Sequence, residues 1–104
     1  MEIDFNKEFK TLEGETILQS ENNDKILSLK TVAITALLTP GKEQENTSGE
    51  EKAERYMLAQ EISIANGIPV DVKTEDIVLL KKLIGELYLP LIVGQAYQLL
   101  ENKD

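Results

Sequence analysis

The sequence predicts an α+β fold dominated by helices, with three or four helices packed on a small N-terminal antiparallel β-hairpin or sheet. Three observations lead to it. β-formers and turn signals concentrate in residues 1–30, apolar stripes at helical spacing recur over residues 28–101, and capping residues separate those stripes. With 104 residues the chain reads as one domain, because two independent cores would each be marginal.

Each element follows from local chemistry. Phe9-Lys10-Thr11-Leu12 and Thr16-Ile17-Leu18 flank Glu13-Gly14, where glycine supplies the positive φ of a tight turn. Glu21-Asn22-Asn23-Asp24 reads as a second turn leading into Lys25-Ile26-Leu27. Ser28 caps a first helix whose Leu29, Val32, Ala33, Ala36 and Leu37 share one face; Ile34 and Leu38, off that stripe, suggest burial on more than one side. Thr39-Pro40-Gly41 stops it, and residues 40–49, without a large apolar side chain, read as a flexible solvated loop. Ser48-Gly49-Glu50-Glu51 matches a capping box and opens a second helix that runs to Asn66-Gly67. This helix carries two apolar stripes nearly opposite each other: Ala53, Tyr56, Met57, Gln60 and Ile64, and Leu58, Ile62 and Ala65. One stripe faces the domain; the other faces either more of the domain or another chain. Ile68-Pro69-Val70-Asp71-Val72 is extended and suited to dock along the sheet, and Thr74 caps a third helix with stripe Ile77, Leu80, Ile84, Leu87 and Leu91. Pro90 kinks that helix or divides it, and the segment that follows is the most apolar of the chain, before a frayed tail at 101–104.

Composition narrows the chemistry. The chain has no Cys and no His, which removes disulfides, thiolate sites, and the commonest general base and metal ligand. A net charge of -8, with Lys81-Lys82 the only adjacent basic pair, disfavours direct binding to nucleic acid or to an anionic membrane. No apolar run approaches the roughly 20 residues of a membrane span, and Met1-Glu2-Ile3-Asp4-Phe5 lacks the pattern of a secretory signal. The expectation is a cytoplasmic protein of a bacterial host cell.

The residues that could carry chemistry mostly have simpler roles. Glu43, Glu45, Glu50, Glu51 and Glu54 read as a solvated surface; Asp71, Glu75 and Asp76 form a denser group, but Glu75 and Asp76 already complement a helix start, so no catalytic residue, metal or cofactor is expected. Gly85 and Gly94 sit in helical patterns without a phosphate-loop motif, so close packing is their expected role. Tyr56, Tyr88 and Tyr97 lack the interleaved basic residues of a base-stacking platform. Gln60, Gln95 and Gln98 lie on otherwise apolar faces, where an amide can fix the register of an interface.

The runs Gly49-Glu50-Glu51-Lys52-Ala53-Glu54-Arg55-Tyr56-Met57-Leu58-Ala59, Thr74-Glu75-Asp76-Ile77 and Leu89-Pro90-Leu91-Ile92-Val93-Gly94-Gln95-Ala96 resemble small proteins encoded by bacteriophages and integrated prophages, as does the Leu-Glu-Gly turn at residues 12–14. These are packing and capping features. The resemblance implies a biological setting and transfers no catalytic residue.

The function expected is therefore that of a non-enzymatic accessory or assembly protein of phage type. It would bind a protein partner, or a second copy of itself, through apolar helical surfaces. The expected partner surface comprises Tyr88, Leu91, Gln95, Gln98, Leu58 and Ile62. The alternative is an acidic regulator or nucleic-acid mimic that binds a host DNA-binding protein.

Overall fold

Ser28 is where the β-rich segment hands over to the helices, and its surroundings explain how the two are joined. In the computed structural model, which describes residues 1–20, 23–39 and 47–101, the side chain of Ser28 accepts from Thr31 N at the start of helix α1 (Leu29–Leu38). The first amides of a helix lack intrahelical acceptors, and here each one finds a partner. Leu29 N donates to Lys7 O and Lys30 N to Phe5 O, both at 2.8 Å, while Val32 N reaches Ser28 O at 3.0 Å. The N-terminal segment thus completes the cap of α1.

Among the described residues the strands form two small antiparallel sheets rather than one. Strand β1 (Glu2–Ile3) pairs with β4 (Val70–Asp71), in the register Glu2 to Asp71 and Ile3 to Val70. The extended stretch around Val70 does dock on a strand, and that strand is the very start of the chain. Strands β2 (Leu18–Ser20) and β3 (Asn23–Ile26) pair antiparallel, with an irregularity between Leu18 and Ser20. Ahead of it, Lys10 bridges Thr16 around a turn in which Gly14 N donates to Thr11 O and Gly14 takes φ +89°, a value glycine tolerates and other residues rarely adopt. Where these segments meet, three backbone bonds close a ring: Phe9 N to Leu27 O, Leu27 N to Ile17 O, and Ile17 N to Phe9 O.

Helix α2 (Gly49–Ile64) starts at Ser48, whose hydroxyl accepts from Glu51 N at 3.1 Å; this is the serine half of the expected capping box, without a return bond from the Glu51 side chain. It ends at Ile64, a little before Asn66-Gly67; Gly67 then takes φ +82° to turn the chain towards β4. Helix α3 (Thr74–Leu87) has Lys73, not Thr74, at its cap position, and no side chain closes it. Thr74 is already helical, and Glu75 and Asp76 in the first turn complement the positive end of the helix dipole. Pro90 divides the last helix: α3 ends at Leu87 and α4 (Pro90–Leu100) begins on the proline itself, whose missing N–H costs nothing there. The Pro40-Gly41 stop, most of the 40–49 loop with Glu43 and Glu45, part of the 21–24 turn and most of the tail lie outside the described residues.

One hydrophobic cluster joins these parts. The N-terminal segment contributes Ile3, Phe5 and Phe9, all essentially inaccessible, and α1 contributes the five residues of its predicted stripe. Ile34 is partly buried and Leu38 is exposed, so α1 is less enclosed than expected. Helix α2 adds Leu58, Ala59 and Ile62; α3 adds Ile77, Leu80, Leu83 and Ile84; α4 adds Ile92, Ala96 and Leu100. Helix α1 packs against both α2 and α3, and α4 packs on α3. Burying one large apolar side chain contributes roughly 1.5–3 kcal/mol, against about 1 kcal/mol for a typical hydrogen bond. Burial therefore holds the sheets on the helices, and the hydrogen bonds set where they sit.

Gln95 supplies the most specific of those bonds. Its Oε1 accepts from Lys10 N at 3.0 Å and its Nε2 donates to Lys10 O at 2.7 Å, so one side chain brackets both polar groups of a backbone residue. Gln95→Ala should lower stability by about 1 kcal/mol, the scale of a partly exposed hydrogen-bonded pair. Gln98→Ala, on the exposed side of the same helix, should change it by less than about 0.5 kcal/mol. Urea midpoints compare the two directly, and equal effects would refute the role given to Gln95.

Candidate partner-binding surfaces

The six residues expected on a partner surface fall into three groups. Leu58 and Ile62 are buried in the core against the rest of the chain, so they do not belong to an exposed surface. The stripe they define is the one that faces inward. Gln95 is half-buried and committed to Lys10; it fixes register, as its place on an apolar face suggested, but within the chain. Tyr88 is half-buried in the link between α3 and α4, while Leu91 and Gln98 are exposed. Leu87 and Leu91 were expected on the buried stripe of the third helix; the break at Pro90 leaves both accessible.

Two apolar surfaces emerge. The first is the outward face of α2. At about 100° per residue, Ala53, Tyr56, Met57, Gln60 and Ile64 fall on the arc opposite Leu58 and Ile62. All five are exposed: Tyr56 is 57%, Met57 59% and Ile64 71% accessible. Helix α2 therefore buries an apolar stripe of Leu58, Ala59 and Ile62 and carries a second apolar stripe among the charged residues it turns to solvent. Alanines at Ala33, Ala36 and Ala59 lie on the buried faces of the packed α1 and α2, where small side chains let helix backbones approach. Beside the outward stripe run Glu50, Glu54 and Glu61, all exposed. Arg55, on the inward flank, has a buried Nη1 without a hydrogen-bond partner.

The second surface is the corner between α3 and α4, where Leu87, Leu89 and Leu91 are exposed, Leu89 to 78%. The corner is held by three contacts of known geometry. Tyr97 Oη donates to Lys81 O at 2.9 Å, the Lys81 ammonium lies 5.5 Å from the Tyr97 ring centre, and it also reaches Glu101 Oε2 at 3.4 Å. Tyr88 completes it through a side-chain hydrogen bond with Thr35 on α1. Burial pushes the Tyr88 hydroxyl above its ordinary range, and the bond with Thr35 offsets part of that rise.

The glycines separate cleanly. A Cβ at Gly85 would stand 3.0 Å from Tyr97 Oη, a tight contact that would oblige the tyrosine to give by a few tenths of an ångström. Gly94 was expected to make room for a crossing element, but a Cβ there meets nothing within 4 Å, so no packing among the described residues requires it. Among the described residues no group of three acidic side chains could hold a metal ion, and no helix is long and apolar enough to cross a membrane. Asp71 lies instead 3.0 Å from the Met1 ammonium. No family model matches the chain, and comparison with curated proteins and with solved structures brings up no match.

Two predictions follow from the corner. Gly94→Ala should raise stability by up to about 1 kcal/mol, the helix propensity gained, whereas Gly85→Ala should gain nothing or lose stability because it dislodges Tyr97; thermal unfolding of both variants decides, and a stabilised Gly85→Ala would contradict the packing described. For Tyr88, a raised folded value means that its contribution is intact below pH 10.0 and is lost as pH rises beyond it, since the unfolded chain ionises first. Tyr88→Phe should flatten that part of the alkaline loss of stability, measured by urea unfolding from neutral to strongly alkaline pH. An unchanged slope would show that Tyr88 does not cause it.

Proposed function

We propose that this protein is a non-enzymatic, phage-type accessory or assembly protein that binds another protein through apolar helical surfaces. One observation carries the reading: the face of α2 turned away from the core is an apolar stripe of Ala53, Tyr56, Met57 and Ile64, interrupted only by Gln60. Leaving such side chains in water forfeits the burial that stabilises them, and contiguous exposed apolar surface is what protein interfaces use. Tyr and Met are also among the residues interfaces favour, because each covers a large area and adapts its contacts. The exposed leucines at the α3–α4 corner offer a second, smaller surface, next to Gly94, whose place in the helix no packing among the described residues explains.

The acidic-mimic alternative calls for carboxylates extended like a phosphate backbone. Glu50, Glu54 and Glu61 form a short row along an apolar stripe, which fits a protein helix better than it imitates nucleic acid. The resemblance to phage-encoded proteins supports the setting in a bacterial host cell.

A photo-crosslinking amino acid at position 57, introduced into the full chain in its native cell, should yield one discrete protein adduct. The same group at Lys25, exposed on strand β3, should yield none. The absence of an adduct from position 57 and from position 89 alike would remove the support for partner binding.

A further inference from the structure

The outward face of α2 carries enough pattern to specify what covers it. Ala53, Met57, Gln60 and Ile64 are spaced four, three and four residues apart, the alternation by which one helix presents a continuous seam to another. On one border of that seam Glu54 and Glu61 occupy the positions that face a partner helix, and Glu50, seven residues before Met57, adds a carboxylate at the N-terminal end of the seam. On the other border the equivalent positions are Gly49, Tyr56 and Ser63, none of them cationic.

This arrangement discriminates between occupants. If a second copy packed antiparallel about a two-fold axis, the acidic border of one helix would lie on the acidic border of the other, Glu54 near the second Glu61. A parallel pair would set Glu54 and Glu61 against Gly49, Tyr56 and Ser63, leaving them without a counter-charge. Either pairing also brings together two chains of net charge -8. A foreign helix with Lys or Arg along its border satisfies both the apolar seam and the acidic row.

Resting on the reading of the chain as a protein-binding module, we propose that the outward stripe of α2 docks a single amphipathic helix of another protein, whose apolar stripe is bordered by basic residues. Gln60, the one amide in the seam, sets the register of that helix as buried polar residues do in helical pairs.

The test uses the full chain and two synthetic helical peptides with the same leucine and isoleucine seam, one bordered by lysine and arginine, the other by glutamate. The basic peptide should bind at least tenfold more tightly than the acidic one at low salt and weaken as salt screens the borders. Amide shifts on binding should be confined to residues 53–64. Met57→Glu should abolish binding, and Glu54→Lys combined with Glu61→Lys should reverse the preference in favour of the acidic peptide; both changes lie on the exposed face, and unaltered thermal unfolding verifies that the variants fold. Equal binding of the two peptides, no binding of either, shifts that map elsewhere, or sedimentation showing copies paired through α2 would each overturn the proposal. Failure here with the position-57 adduct still present discards only the basic-helix partner; loss of that adduct and of the position-89 adduct discards the broader reading.

Discussion

The fold depends on the free amides at the start of α1. A helix end buried beneath a β-rich layer must find acceptors, and an unpartnered buried N–H costs a few kcal/mol, about the scale of one side chain's burial. Here the acceptors are Lys7 O, Phe5 O and the oxygens of Ser28. Because Phe5 and Phe9 are buried in the same stretch, satisfying the helix end also places two aromatic rings in the core. The same strand-like segment pairs through Glu2 and Ile3 with the chain leaving α2, and through Lys10 with Gln95 on α4. The first ten residues thus make hydrogen bonds to the start of α1, to the stretch that follows α2, and to α4.

The orientation of α2 is a second choice with consequences. Both stripes of this helix are apolar, and either could have been buried on hydrophobic grounds alone. Leu58, Ala59 and Ile62 form the compact, aliphatic option, whereas the outward set includes a phenol, a thioether and an amide. Aliphatic side chains without polar atoms suit a core, while Tyr and Gln buried there would need hydrogen-bond partners. The inward turn still leaves an orphaned nitrogen on Arg55, a local cost that the burial of Leu58 and Ile62 outweighs.

Much of this was legible in the residues. The α+β class, the five-residue buried stripe of α1, the caps at Ser28 and Ser48, the glycine turn at Gly14 and the docking of the Val70 stretch all rest on local chemistry, which a sequence displays. What was hidden depends on distant partners. Which stripe of α2 faces inward is settled by α1, so Leu58 and Ile62 were expected on a surface they do not reach. Thr74 has the chemistry of a cap, yet the chain enters α3 one residue earlier. The contrast between Gly85 and Gly94 could not be drawn without knowing that Tyr97 crosses the one and leaves the other open. The register-fixing role of a glutamine was readable, but not that its mate would be the backbone of Lys10, 85 positions away.

The ring of bonds joining Phe9, Ile17 and Leu27 has a bearing on how the molecule meets others. Small sheets usually end in a strand with spare amides and carbonyls, an invitation for a foreign strand to add itself. At this level the three residues use all six of their main-chain groups on one another, so nothing remains to offer an incoming extended peptide. Strand addition is blocked at the point where these β segments converge.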